Sequence, residues 1–163
     1  MSDEIVLRRP VEADHPRLVG HIDDWWGGRN LHPVFLRMWF RHFSGTSWVA
    51  VDPSGRLVGF LVGFISPDHP DEAYIHLVAT SPNLRRVGLG RRLYERFFED
   101  VRARGVRRVS AITWPGNRVS VGFHRAMGFS PFDGPGTQNL YGTPAFPDYD
   151  AEGDDRVVFS LDL

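Results

Sequence analysis

The amino-acid sequence predicts a single α+β domain, residues 1–163, built on a mixed β-sheet. Three observations predict it. Two apolar runs rich in β-formers, Leu57 to Ile65 and Ala73 to Ala79, are too short for most helices and read as strands. Leu89, Leu93, Phe97 and Val101 fall four apart with Tyr94 and Phe98 beside them, the stripe of an amphipathic helix about four turns long. Helical and extended patterns follow one another as β-α-α-β-β-β-α-β-α-β-β, with no internal repeat and no linker.

Each element has a local cause. Ile5 to Arg8 alternates and forms a first strand, which Pro10 ends. Asp14-His15-Pro16 opens a helix running to about Asp24. Trp25-Trp26-Gly27-Gly28-Arg29-Asn30 turns the chain, and His32-Pro33 starts a second helix to about Phe43 that sets Phe35, Trp39 and Phe43 on one face. Ser47 to Val51 is a strand, Asp52-Pro53-Ser54-Gly55 a hairpin turn, and Leu57 to Ile65 the long strand that follows. A loop with two prolines leads into a strand at 72–80. The long helix ends at Gly105, Val106 to Thr113 is the next strand, and Trp114-Pro115-Gly116 turns into a helix at 118–127 that Asn117 caps and Gly128 closes. Phe129 starts a short strand. Residues 131–155 carry five prolines or glycines in their first dozen positions and five acids from Asp148 to Asp155, and read as a long loop. Arg156 to Leu161 closes the chain as a strand.

Composition bounds the function. Hydrophobic residues make up 42% and charged residues 24%, ordinary values for a globular domain, and a net charge of −1 draws the molecule to neither nucleic acid nor membrane. No apolar run approaches the ~20 residues of a membrane helix, and the acidic start Met1-Ser2-Asp3-Glu4 lacks a signal-peptide core, so a cytoplasmic location is expected. The chain has no Cys, which excludes disulfides and thiolate metal sites, and no metal is expected. All 19 basic residues are Arg, as codon bias in a GC-rich bacterial genome would produce.

The chemistry starts at Arg85-Arg86-Val87-Gly88-Leu89-Gly90, a turn with two glycines between the strand at 72–80 and the long helix. Glycines there let backbone approach a ligand, and the free N–H groups of the first helical turn suit phosphate. A Walker loop would need Lys and then Ser or Thr after the last glycine, but Arg91-Arg92 follow; a dinucleotide fingerprint would need Gly where Leu93 stands. What remains, Arg85-x-x-Gly88-x-Gly90 after Ser81-Pro82, resembles the pyrophosphate signature of the GNAT family of acetyl-CoA-dependent N-acetyltransferases. Asn117-x-x-Ser120-x-x-Phe123-His124-x-x-Met127-Gly128-Phe129 is similar to that family's later motif, one helix and one strand further on.

The resemblance implies a mostly antiparallel sheet with helices on both faces, in which the strands at 72–80 and 106–113 lie parallel and splay apart to form a notch. It implies acetyl-CoA as co-substrate and direct transfer of an acetyl group to an amine of a small molecule or peptide. Backbone N–H groups of Arg86, Val87, Gly88, Leu89, Gly90 and Arg91 would hold the pyrophosphate, with charge added by Arg85, Arg86 and Arg91. Backbone groups of Val78 and Thr80 would pair with the pantetheine arm, an N–H near Val78 would polarise the thioester oxygen, and Asn117 would cap its helix, contact the cofactor arm, or both.

Two catalytic candidates follow. His124 stands where the family usually has the Tyr that protonates the departing thiolate; its other reading is a polar helix residue that only hydrogen-bonds. His76, which period two places with Glu72 and Tyr74 opposite Ile75 and Leu77, is the candidate base, with Glu72 behind it. The acceptor site draws on Trp26, Arg29 and Tyr141, with Trp25, His32 and the acids from Asp148 to Asp155 nearby. Aromatics and acids could hold a cationic amine, while Arg29 could equally bind an acceptor's carboxylate. A rival reading is a non-catalytic acyl-CoA-binding sensor, suggested by His in place of Tyr and by the absence of a carboxylate on the strand at 106–113. A homodimer is allowed, since dimers are common in folds of this kind.

Overall fold

A computed structural model describes residues 4–163; residues 1–3 of the acidic N-terminus lie outside them. The elements are β1 (Val6–Arg8), α1 (Asp14–Val19), α2 (Ile22–Trp25), α3 (Met38–His42), β2 (Trp48–Val51), β3 (Leu57–Ile65), β4 (Glu72–Thr80), α4 (Leu89–Ala103), β5 (Arg108–Thr113), α5 (Arg118–Ala126), β6 (Ser130–Pro131), β7 (Gln138–Leu140), β8 (Thr143–Ala145) and β9 (Val157–Asp162). Seven strands form one sheet in the order β1-β2-β3-β4-β5-β9-β6. Every neighbouring pair is antiparallel except β4 and β5. No helix among the described residues is long and apolar enough to cross a membrane.

The sheet separates two cores. On one face α4 and α5 bury Leu89, Leu93, Phe97 and Val101 against Leu61, Ile75, Val109 and Phe159. This is the stripe read from the sequence, turned inward. On the other face Leu18, Ile22, Phe35 and Phe40 pack on Val49, Phe60, Val62 and Leu77. Buried apolar area of this extent dominates stability, at ~25 cal/mol per Å² removed from water.

Three expectations are corrected. The helix expected from Asp14 to Asp24 is two short helices, because the chain turns at Gly20-His21 and so buries both Leu18 and Ile22 completely. The helix expected from His32 to Phe43 is only a turn at 31–34 followed by the short α3. Phe35 leaves the helical path to stack on Phe60 at 4.6 Å, while Trp39 and Phe43 lie against Phe64, so the three aromatics do not share a face. Tertiary burial outweighs the weak propensity of a segment this short. The long loop at 131–155 contains the β7–β8 hairpin, whose turn residues Tyr141 and Gly142 both have positive φ, 54° and 84°. That is the signature of a tight hairpin turn, which ordinarily selects Asn-Gly rather than Tyr-Gly.

Gly63 shows how closely α4 sits on the sheet. A Cβ there would lie 2.5 Å from the Phe97 ring and 3.0 Å from the Tyr74 carbonyl. Phe97 is fully buried and cannot swing away. Gly63→Ala should therefore destabilise the fold by about 1–3 kcal/mol, read from the denaturation midpoint; an unchanged midpoint would mean that α4 shifts freely on the sheet.

Candidate functional site

The glycine turn follows β4 directly. Pro82–Val87 form a short 3₁₀ turn, Gly88 takes a left-handed conformation at φ 77°, and α4 begins at Leu89. A residue with a Cβ would be strained at that φ even though nothing lies within 4 Å of the position. No side chain caps α4, and its first turn carries no acid. Its leading N–H groups are thus left without intrahelical partners, beside Arg91 and Arg92, whose charge the helix dipole disfavours unless an anion is present. A Cβ on Gly90 would touch the Phe123 ring at 3.6 Å, an ordinary contact, so packing alone does not require glycine there. The side chains of the turn are partly committed: Arg85 donates to the Trp25 carbonyl, and Arg91 lies 3.6 Å from Glu95.

Beside the turn the sheet opens. β4 and β5 pair only between Glu72–Ile75 and Arg108–Ala111, and beyond that they part. The notch is a cavity of about 670 Å³, walled by Ile75 to Thr80 and by Ala111, Ile112 and Thr113, with Tyr94, Phe123 and His124 beneath. A second cavity, of about 560 Å³, lies beyond Trp25 among Arg17, His21, Asp52 and Arg56; its Asp52 is already bonded to Ser54 and Arg56. It shares only Trp25 with the lining of the notch.

A β-bulge sets the geometry of β4. Val62 pairs with Leu77 and Gly63 with Ile75, so His76 is the extra residue. The bulge breaks the alternation read from the sequence. Tyr74 and His76 do share a face opposite Ile75, but Leu77 falls on their side, in the core with Phe60 and Val62. Past the bulge the backbone parity follows from Ser81, whose N–H donates to the Val58 carbonyl of β3. Leu77 and Ala79 therefore direct their backbone groups to β3, and Val78 and Thr80 direct theirs into the notch. One of these groups is in use, since the Trp26 indole N–H donates to the Val78 carbonyl at 2.9 Å.

Both predicted histidines line the notch. His76 stacks on Trp39 at 4.3 Å, and its Nε2 lies 2.9 Å from the Val34 carbonyl. A carbonyl only accepts, so Nε2 carries the proton and Nδ1 keeps its lone pair. Burial pushes the His76 pKa below the usual value, partly countered by that bond. His124 is buried and stacked on Phe159 at 4.9 Å. Its Nδ1 lies 2.8 Å from the Ser120 carbonyl and its Nε2 3.0 Å from the Tyr94 hydroxyl. By the same logic Nδ1–H donates to Ser120, and the Tyr94 O–H donates to Nε2. Burial keeps His124 neutral and pushes the Tyr94 hydroxyl well above its usual range. Tyr94 is the residue that sequence reading missed at this point; it passed as one more member of the apolar stripe. Asn117 caps α5 by accepting from the Ser120 N–H at 3.2 Å and also lines the notch.

The acceptor candidates converge less evenly. Arg29 lies over the Trp114 ring at 5.3 Å, and Tyr141 packs on the same ring at 5.5 Å. Trp114, read from the sequence only as a turn residue, joins the two. Four of the five acids from Asp148 to Asp155 are engaged within their own loop or with Arg156, and Glu152 is exposed. Asp148 and Asp155 accept from backbone N–H groups of their own turn, and Asp150 and Asp154 lie 3.4 and 3.7 Å from Arg156. Among the described residues no three His, Cys, Asp or Glu side chains are grouped to hold a metal ion.

Comparison with known proteins points one way. Residues 12–129 match the model of the acetyltransferase (GNAT) family. The chain is 32% identical over 117 residues to the L-2,4-diaminobutyric acid acetyltransferase of Nocardia farcinica, a match covering 72% of this chain and 60% of that protein. It is 30% identical over 117 residues to the enzyme of the same name from Streptomyces coelicolor, covering 68% and 69%. Its fold superposes with a TM-score of 0.73 on the diaminobutyrate acetyltransferase of Paenibacillus lautus in complex with its substrate and coenzyme A, at 25% identity and covering 99% of this chain and 96% of that one.

The buried histidines make stability depend on pH. Their folded pKa values lie below those of the unfolded chain, ~6.5, so protons bind preferentially to the unfolded state. Stability should be full above about pH 6.5 and fall as the pH drops from there through the lowered folded values. One such group can contribute at most ~1.4 kcal/mol per pH unit. Urea denaturation between pH 5 and 7.5 should show stability falling toward the acid side, and His124→Phe should reduce that fall; an equal slope in the variant would mean that His124 titrates alike in the folded and unfolded chain.

Proposed function

The chain belongs to the acetyltransferase (GNAT) family, and from that premise we propose that it transfers an acetyl group from acetyl-CoA directly to an amine of a small acceptor of the diamino-acid kind. One observation carries the reading: an unpaired backbone edge on β4 runs straight into an uncapped, arginine-flanked helix start. An extended amide-bearing arm with a diphosphate at its end fits that combination. The edge offers strand-like pairing, and the helix start offers N–H groups and positive potential. The relatives named above are acetyltransferases, and none of them supports a non-catalytic sensor.

In this reading the thioester supplies an activated acyl carbonyl, and the residues of this chain do the rest. N–H groups from Arg86 to Arg91 take the diphosphate, with charge from Arg86 and Arg91 and from Arg85 once it leaves the Trp25 carbonyl. Val78 and Thr80 align the arm, and the Val78 N–H faces the carbonyl oxygen where negative charge develops. Asn117 keeps its capping bond and turns its amide N–H groups toward the arm. His76 takes the amine proton on Nδ1, and its lowered pKa keeps that lone pair available at neutral pH. His124 acts through Tyr94: it holds the hydroxyl at the base of the notch as a hydrogen-bond donor that can turn toward the departing sulfur. Neither group is a strong acid here, and a thiol pKa of ~8.5 lets the thiolate leave without one.

Two measurements test this. Titration calorimetry should show micromolar binding of acetyl-CoA and of CoA, with ATP inert. Because Trp26 must release the Val78 carbonyl, binding should change tryptophan emission in the wild type, and most of that change should vanish in Trp26→Phe. Absence of acetyl-CoA binding would overturn the proposal. For turnover, thiol release is free of protein background because the chain has no Cys. His76→Gln should lower kcat by about 10²-fold or more while leaving acetyl-CoA affinity unchanged; unaltered kcat would move the base elsewhere.

A further inference from the structure

We infer that the segment Trp26–Arg29 is an acceptor-recognition strap across the notch, and that Arg29 on it is the residue that receives the acceptor's carboxylate group. The inference rests on the acetyl-transfer reading above and narrows its substrate. The strap is anchored on both sides. Trp26 is bonded to the Val78 carbonyl of β4, and three residues later the Arg29 guanidinium lies over Trp114, just past the end of β5. Gly27 and Gly28 make the crossing at φ 69° and 82°, a pair of left-handed residues that side chains rarely tolerate.

The platform under Arg29 is built by neighbouring sequence. The Trp114 ring lies where a Cβ on Gly116 would fall, 2.3 Å from the nearest ring atom, so the glycine is what lets the indole fold back. Tyr141 packs on the same indole from the β7–β8 turn, held at φ 54°, a costly conformation for a bulky residue. Three separate chain segments thus fix the surroundings of one exposed guanidinium. Arg29 has no ion-pair partner among the described residues.

Charge decides what that guanidinium is for. The charged side chains lining the notch are Arg29, Arg85, Arg86 and Arg91, with no Asp or Glu among the lining residues. The last three stand at the glycine turn, where a diphosphate accounts for them. Arg29 stands across the notch and has no anion assigned to it. None of the five acids from Asp148 to Asp155 lines the notch, and four of them are bonded to Arg156 or within their own turn. With the diphosphate in place, a polyamine would meet Arg29 and no carboxylate in the lining of the notch. An acceptor with a carboxylate gains a charge-assisted, bidentate contact with Arg29, whose plane Trp114 steadies from below.

The test is binding to the CoA-loaded protein, which needs no turnover. Calorimetry compares L-2,4-diaminobutyrate, L-ornithine and L-lysine with their decarboxylated counterparts 1,3-diaminopropane, putrescine and cadaverine. At least one acid should bind about tenfold or more tighter than its diamine. Arg29→Gln should weaken that acid by about 10- to 100-fold, leave the diamine and CoA unchanged, and be partly rescued by Arg29→Lys. If no acid binds tighter than its diamine, or if Arg29→Gln leaves the difference intact, the inference is wrong. If Arg29→Gln instead weakens CoA, Arg29 belongs to the cofactor and the inference is equally wrong. Failure of CoA itself to bind would remove the acetyl-transfer reading and this inference together, and it is told apart because it appears before any acceptor is added.

Discussion

The parting of β4 from β5 is the constraint on which the rest of the molecule depends. Four residues on each strand are paired in parallel, and then the ladder stops while both strands continue. Buried backbone groups rarely go without partners, because leaving them so costs about as much as a lost hydrogen bond. The edge of β4 beyond Ile75 must therefore be met by water, by another part of the chain or by a ligand. Here the Trp26 indole meets part of it, and the remainder faces the notch. The wedge stays open because α4 and α5 fill its base with Tyr94, Phe123 and His124. Those side chains are too large, and too well packed on Phe129 and Phe159, for the strands to close over them.

The bulge at His76 and the splay work as a pair. An extra residue in β4 turns His76 toward Trp39 and Val34 on the second core while leaving the groups of Val78 and Thr80 aimed at the notch. A regular strand would have put Leu77 on the face that Val78 occupies. One local insertion thus sets a neutral imidazole and an open backbone edge within two residues of each other.

Electrostatics organises the same space. Carboxylates are absent from the lining of the notch, while arginines stand at both of its sides. Elsewhere several charges are paired. Asp14 is buried and held by Arg8 at 2.7 Å; burial pushes its carboxyl up, but the bonds from Arg8 and the Val11 N–H outweigh that and hold it below the ordinary range. Arg29, Arg85 and Arg86 have no carboxylate partner among the described residues, and they stand where anionic ligands are expected to supply the missing charge.

What the sequence determined by itself is everything that rests on short-range pattern. The bounds of β3 and β4, the stripe of α4 and the Asn117 cap are each dictated by residues within a turn or two of one another, and each stands where the pattern put it. The two glycine-bearing motifs likewise carried the family, because the spacing between them is one helix and one strand. Only the tertiary structure decided the rest. Phe35 abandoned its helix for Phe60, and Tyr141 accepted a strained turn against Trp114. Leu77 changed faces at a bulge, Tyr94 met His124 across two helices, and Asp150 and Asp154 came beside Arg156. In each case the deciding partner lies far along the chain, and burying or bonding it outweighs the fraction of a kcal/mol by which local propensity preferred the other outcome.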